Sequence, residues 1–272
     1  MLIAQLSDTH IKRPGELAYR RVDTAYMLSR CVADLVRLNP QPDLIVITGD
    51  LVDIGCAEEY AHLKRLLAPL KQPIIMVPGN HDGREAMRTA FADDGYLPAS
   101  GFLHFSIDDR YPLRIVGLDT HVPMAGGGEL CEQRLCWLDE KLQRERTRPT
   151  ILLMHHAPFV SGIGFMDEIG LHGRERFTEI VARHPQIEMI LCGHLHRNIQ
   201  TMVGGRRVST CPSPAHQVAL DFRTDTAGGF SLEPPGYLLH WWHDGHLVTH
   251  GVMIGSYDGP YPFVDAAGRL LG

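Results

Sequence analysis

Short, continuously apolar runs punctuate the chain at positions 2–6, 44–47, 74–77, 151–154 and 189–192. Runs of this length without polar alternation predict strands buried on both faces, as at the parallel centre of an α/β sheet. Between them apolar residues recur at helical spacing: Ala25, Leu28, Val32 and Leu35, then Leu63, Leu66, Leu67 and Leu70, then Leu135, Leu138 and Leu142. Two hairpins are expected, one joining 102–107 to 113–118 across the polar turn 108–112, the other joining 199–203 to 207–210 across Gly204-Gly205. Further antiparallel strands are expected at 218–222, 236–242 and 246–254. The elements predict a mixed α/β fold of two sheets covered by helices. Residues 1–215 make the expected catalytic core, and 216–272 belong to the same domain as strands that also cap the site or mediate oligomerisation.

The polar residues just beyond the apolar runs carry the chemistry. Within three residues the five runs reach Asp8, Asp50, Asn80, His155 and His194. Loops beyond the carboxyl ends of strands form the ligand crevice of open α/β sheets. His10 and His196, each two residues past another candidate, complete the set Asp8, His10, Asp50, Asn80, His155, His194 and His196. Seven ligands exceed the needs of one ion and suit two. Oxygen and nitrogen donors without thiolate fit manganese, iron, cobalt or zinc. Singly, SDTH, TGDLVD, PGNHD, MHHAP and CGHLH are weak signals. Jointly they are strong, because burying this many Asp and His side chains without partners is costly.

Composition narrows the partners. Hydrophobic and charged fractions of 44% and 21% are those of a globular protein, and a formal charge of −6 gives no general attraction to nucleic-acid polymers or anionic membranes. No run is long enough to span a bilayer. The amino terminus lacks the basic and apolar regions of a leader, and the first ligand stands at residue 8, so a cytoplasmic protein is expected. The six cysteines are scattered without a CxxC pair, which predicts free thiols.

Four other features invite a role. The Gly-rich stretch 159–173, with Phe165 and Met166, reads as a lid over the site. Asp82 either orients a neighbouring histidine or caps a helix over 84–91. His240, His243, His246 and His250 span an expected hairpin turning at Asp244-Gly245, so their side chains need not converge. No dedicated base pocket is legible; the aromatic candidates near the site are Phe159, Phe165, Tyr237 and Trp241.

In order and residue type, D-x-H, GD, GNHD, H and GHxH, the chain resembles the calcineurin-like metallophosphoesterases from Asp8 to His196. The resemblance implies a four-layer α-β-β-α sandwich of two mixed sheets with a dinuclear metal site at the strands' carboxyl ends. Asp8, His10 and His196 would hold one divalent ion, Asn80, His155 and His194 the other, and Asp50 would bridge; His155 is preferred to His156. His81 would act on the phosphate as catalytic residue, protonating the leaving alkoxide or stabilising phosphoryl charge. His216 resembles a histidine that approaches the phosphate in the bacterial branch, so Asn80, His81 and His216 are the expected substrate contacts.

Two divalent ions, two carboxylates and a bridging hydroxide sum to a charge near +1, which suits a diester monoanion. LSDTH, TGDLVD, EEY and PGNHD look most like the class III cyclic-nucleotide phosphodiesterases and the bacterial glycerophosphodiesterases. The implied activity is hydrolysis of small phosphodiesters, 3′,5′-cyclic AMP foremost, by hydroxide bridging the metals. Glycerophosphodiesters and phosphomonoesters are the alternatives. A non-catalytic scaffold is disfavoured because the ligand set and His81 are all present. A homo-oligomer is expected.

Overall fold

The computed structural model describes residues 1–223 and 226–271; Thr224, Asp225 and Gly272, all in the 216–272 segment, lie outside the described residues. The first three apolar runs form the parallel strands β1 (Leu2–Leu6), β2 (Leu44–Thr48) and β3 (Ile74–Val77). Helices α1 (Thr24–Arg37), α2 (Ala57–Leu67) and α3 (Arg84–Ala90) follow them in turn. The second sheet holds β4 (Phe105–Ile107), β5 (Arg114–Gly117), β7 (Thr150–Leu153), β9 (Ile187–Cys192), β10 (Gln200–Val203) and β11 (Arg206–Thr210). Its order is β10-β11-β9-β7-β5-β4, with parallel pairing from β11 to β5 and both predicted hairpins at the edges. Helices α4 (Glu132–Arg144) and α6 (Arg174–Arg183) cover its outer face. The late strands β14 (Gly236–His243) and β15 (His246–Met253) extend the first sheet, giving the order β15-β14-β1-β2-β3.

Strand alternation builds the layers. Leu44 and Val46 of β2, Ile151 and Leu153 of β7, and Met189 and Leu191 of β9 meet between the sheets. Their neighbours Ile45 and Ile47 face α1 and α2, while Leu152 and Ile190 face α4 and α6. Both faces of these strands are therefore apolar, which is why the runs show no alternation. Fully burying one such side chain is worth about 1.5–3 kcal/mol, so truncation at Leu152 should cost roughly 2–5 kcal/mol. Helix α1 starts where Asp23 accepts from the Tyr26 amide (2.9 Å) and buries Leu28, Cys31, Val32 and Leu35.

Polar contacts replace apolar ones between the sheets as the strands approach their carboxyl ends. Gln5 donates to Thr48 Oγ1 on β2 and to the Cys192 carbonyl on β9, both at 3.0 Å, pinning one sheet to the other. The expected strand at 218–222 is shorter than its pattern suggested. Only Gln217–Val218 (β12) pairs, with Phe230–Ser231 (β13), in a two-stranded unit apart from the main sheets. A second small unit joins β6 (Gly128–Glu129) to β8 (Leu171–His172), beside the short helix α5 (Gly164–Glu168). Among the described residues no helix is long and apolar enough to cross a membrane.

Candidate metal centre

The loops that leave β1, β2, β3, β7 and β9 bring all seven candidate ligands to one end of the sandwich. Close packing of these loops requires glycine in the motifs: a Cβ on Gly79 would stand 2.2 Å from Asp50 Oδ1, and one on Gly193 2.1 Å from Ser7 Oγ. Five of the seven candidates, Asp8, His10, Asp50, His194 and His196, hold positive φ angles between 44° and 68°. Such conformations cost of order 1–3 kcal/mol each in non-glycine residues and persist only where the surroundings fix them.

Hydrogen bonds to carbonyls fix the tautomers. His155 Nδ1–H donates to the Thr48 carbonyl (2.8 Å), which leaves a lone pair on Nε2. That lone pair faces Asn80 Oδ1 at 3.1 Å and Asp50 Oδ2 at 3.4 Å. His196 Nδ1–H donates to the His216 carbonyl (2.9 Å), and its Nε2 lone pair faces His10 Nε2 at 3.2 Å and Asp8 Oδ1 at 3.4 Å. His194 Nε2–H donates to the Ile169 carbonyl (3.0 Å), freeing Nδ1. Asp50 Oδ2 stands 3.5 Å from His10 Nε2 as well as near His155, so one carboxylate oxygen belongs to both groups. Lone pairs at these separations repel unless positive charge lies between them.

The electrostatics point the same way. Although burial opposes it, the Asp50 and Asp8 carboxylates push His155 up to about 9, and Asp53 and Asp50 raise His10. Burial and the adjacent His155 press His194 down to about 3, while burial and His10 hold His196 well below the usual histidine range. The pull of Asp50, Asp8 and Asp53 on protons at His155 and His10 marks an excess of negative charge, and divalent cations would satisfy it in the protons' place, leaving those imidazoles as lone-pair donors beside His194 and His196. The described residues place Asp8, His10, Asp50 and His196 in one candidate cluster and His155, His156 and His194 in another.

His156 is engaged elsewhere. Its Nε2–H donates to the Gly126 carbonyl (3.1 Å) and its Nδ1 accepts from Thr120 Oγ1 (2.8 Å), so neither nitrogen is free. His81 donates Nδ1–H to the Asp53 carbonyl (2.7 Å), while its amide donates to Asp50 Oδ1 (2.9 Å). Its ring lies 4.7 Å from that of His10 and lines the adjoining cavity. His216 lies 5.5 Å and 4.8 Å from the rings of His10 and His196, with a buried Nδ1 that has no partner among the described residues.

Asp82 neither orients a histidine nor caps α3, whose N-cap is Gly83. It accepts from the amides of Gly79 (2.8 Å) and Leu51 (3.1 Å) and from the Tyr60 hydroxyl (2.8 Å). The buried carboxylate thus ties the loop bearing Asn80 to the loop bearing Asp50; burial and the Asp50 charge raise it to about 6.

A cavity of about 590 Å³ opens beside the cluster, and its apolar lining is Tyr19, Phe165, Met166, Ile169, Val218 and Phe230. Of the four aromatic candidates only Phe165 is there. Phe159 packs at the margin of the second core, Tyr237 is buried with its hydroxyl on Asp34 (2.8 Å), and Trp241 lies on the hairpin at the far side of the first sheet. The stretch 159–173 forms one wall through α5, pinned by Asp167 accepting from Ser161 and Gly162. Tyr19 and Phe230 stack at 5.0 Å to form the other side. Nothing periodic in their segments announced either residue.

The sequence profile of the family described as calcineurin-like phosphoesterase matches residues 1–198. The chain is 39% identical over 273 residues to a protein of Arcobacter nitrofigilis named probable glycerophosphodiester phosphodiesterase GpdQ, covering 100% of each. It is 32% identical over 251 residues to the 3′,5′-cyclic adenosine monophosphate phosphodiesterase CpdA of Escherichia coli K12, covering 91% of this chain and 87% of that one. A solved dimetal phosphatase from Danio rerio shares the fold, with a TM-score of 0.65 at 14% identity over 92% of this chain and 95% of its own. With the motifs in order and their side chains gathered at one end of a two-sheet sandwich, the chain belongs to the calcineurin-like phosphoesterase family and is a metal-dependent phosphoric ester hydrolase.

Proposed function

We propose that this chain hydrolyses small phosphodiesters, with 3′,5′-cyclic AMP and aryl or nucleoside diesters its best substrates. The observation that carries the reading is the juxtaposition of two lone-pair clusters sharing Asp50 with a large, mainly apolar cavity. Asp8, His10 and His196 would hold one divalent ion and Asn80, His155 and His194 the other. When bound, two ions of the manganese, iron, cobalt or zinc type supply Lewis acidity to the phosphoryl group and lower the pKa of water.

The chain's own residues do the rest. The Asp53 carbonyl keeps a proton on His81 Nδ1, so Nε2 is the atom offered to the substrate. Protonated there, His81 donates to the departing alkoxide; in either state it orients the phosphoryl oxygens. His216 lines the same end of the cavity. The Tyr19–Phe230 stack and Phe165 offer apolar faces to a planar alcohol and exclude water from it. Among the described residues the apolar lining includes no array of polar groups to read base edges, so adenine and guanine should be accepted with little discrimination.

A glycerophosphodiester is the second reading, favoured by the full-length 39% identity to a protein bearing that name. A glycerol alcohol would leave most of the apolar lining uncovered. A panel of cyclic AMP, cyclic GMP, a glycerophosphodiester, an aryl diester and the matching aryl monoester decides the matter. The expected order is aryl and cyclic diesters first, with the monoester slower; a tenfold preference for the monoester overturns the diesterase reading. The unpaired state of all six cysteines supports a reducing, cytoplasmic setting. The exposed Tyr257, Tyr261 and Phe263 beyond β15 support self-association, checked by light scattering of a chain ending at Gly255.

A further inference from the structure

The cavity has two walls, and each is hydrogen-bonded to a histidine of the cluster. On the α5 side the Ile169 carbonyl accepts from His194, and on the β12–β13 side the His216 carbonyl accepts from His196. The second wall is the weaker structure. β12 and β13 contribute two residues each, in the register Gln217 to Ser231 and Val218 to Phe230, with one more bond from the Ala219 amide to the Gly229 carbonyl (2.9 Å). A two-stranded unit this short is not stable by itself. Yet it carries Val218 and Phe230 and follows directly on His216, all of which face the cavity.

One side chain fastens both strands. Arg197, the residue after His196, donates Nη1 to the Val218 carbonyl on β12 (2.6 Å). The same guanidinium grips Glu233 with two bonds, Nη1 to Oε1 at 3.1 Å and Nη2 to Oε2 at 2.7 Å. Glu233 in turn accepts from Ser231 Oγ on β13 (2.6 Å). The clamp therefore runs from the ligand-bearing loop to β12, and through Glu233 to β13. Arg197 and Glu233 line a separate groove of about 350 Å³ and neither lines the cavity of the metal cluster. The two parallel bonds need a planar guanidinium; a lysine ammonium would make one contact and lose the fork.

We propose that Arg197 and Glu233 are positioning residues that hold the β12–β13 wall against the cavity, so that the pair sets how tightly the bulky alcohol of a diester is bound. The proposal rests on the diesterase reading for its kinetic consequence. For its structural consequence it rests only on the clamp. Loosening the wall moves Phe230 off Tyr19 and widens the space around a large substituent, while the donor atoms of the cluster and His81 stay in place.

The test uses the metal-loaded full chain with Glu233→Ala, Arg197→Lys and the double variant. KM for bis(p-nitrophenyl) phosphate should rise roughly 5–20-fold in each, the scale expected of a lost charge-assisted bidentate pair, with kcat within about threefold. KM for methyl p-nitrophenyl phosphate, whose methyl group is too small to reach Phe230, should move less than about threefold. The double variant should be no worse than the worse single one, as for two residues acting as a unit. Amides 217–219 and 229–231 should exchange hydrogen faster while those of α5 do not, with metal content unchanged. A fall in kcat at constant KM for both esters, or unaltered exchange in these amides, overturns the proposal. If wild-type protein cleaves neither ester, the diesterase reading fails and the exchange measurement still decides the clamp.

Discussion

Two stretches of this chain are dense in histidine, and only one of them gathers its side chains. At the carboxyl ends of β1, β7 and β9, histidines from positions 10 to 196 meet within hydrogen-bond range of two carboxylates. In HWWHDGHLVTH the four histidines lie within eleven residues and do not converge. The turn at Asp244 and Gly245 pairs His243 with His246, His240 with Thr249, and His250 with Leu239. Alternation turns His240 alone of the four inward, while His243, His246 and His250 share the exposed face, where register sets His243 opposite His246 and leaves His250 four residues further along its strand. His240 is buried and bonded to Thr249 Oγ1 (2.8 Å) and Gln5 Oε1 (3.0 Å), and the other three are exposed. Parallel neighbours do the opposite, because their carboxyl ends stack at one edge. Local density of a residue type says little about a site; recurrence at equivalent strand ends says much.

The largest expected effect separates the two regions by activity. His155→Ala should abolish hydrolysis, whereas His243→Ala and His246→Ala should leave kcat/KM unchanged, measured on an aryl diester. Strong loss in a hairpin variant would make that region part of the site. Next comes His81→Ala, expected to lose about 10²–10⁴-fold in rate for alkyl leaving groups with metal content retained. The loss should be smaller for nitrophenolate, which leaves without a proton; equal losses would leave His81 an electrostatic role alone.

How much of this was legible follows from the same comparison. Apolar runs buried on both faces identified β1, β2, β3, β7 and β9, and the residues just past them supplied the ligand candidates. The neighbours His155 and His156 were distinguishable only by resemblance. In space the Thr48 carbonyl turns one toward Asp50, while Thr120 and Gly126 hold the other away. Tyr19 and Phe230 come from segments without periodicity that meet across the fold, and β12–β13 is too short to pattern. Asp82 looked like a cap because it precedes a helix, but two of its three partners, the Leu51 amide and the Tyr60 hydroxyl, come from other segments, beyond the reach of local reasoning.

Two smaller effects sharpen the contrast between binding and structural histidines. His156→Ala should keep its metals while costing about 1–3 kcal/mol of stability by leaving buried polar partners unpaired, read by chemical denaturation. His240 titrates differently in the folded and unfolded chain, because burial, with help from Arg207, presses it down to about 3. As pH falls below 6.5 the unfolded state takes up the proton first, so stability must fall with pH between about 6.5 and 3. The slope contributed by one such group approaches about 1.4 kcal/mol per pH unit. His240→Asn should flatten that acid limb, and an unchanged slope would show that His240 is protonated in the folded protein.

The central claim is that Asp50 belongs to both ion sites, since its Oδ2 faces His10 at 3.5 Å and His155 at 3.4 Å. Metal per chain, measured on purified and exhaustively dialysed Asp50→Ala beside Asn80→Ala, tests it directly. The account predicts that Asp50→Ala retains neither metal tightly, while Asn80→Ala weakens one and keeps the other. Two tightly held metals in Asp50→Ala would contradict it.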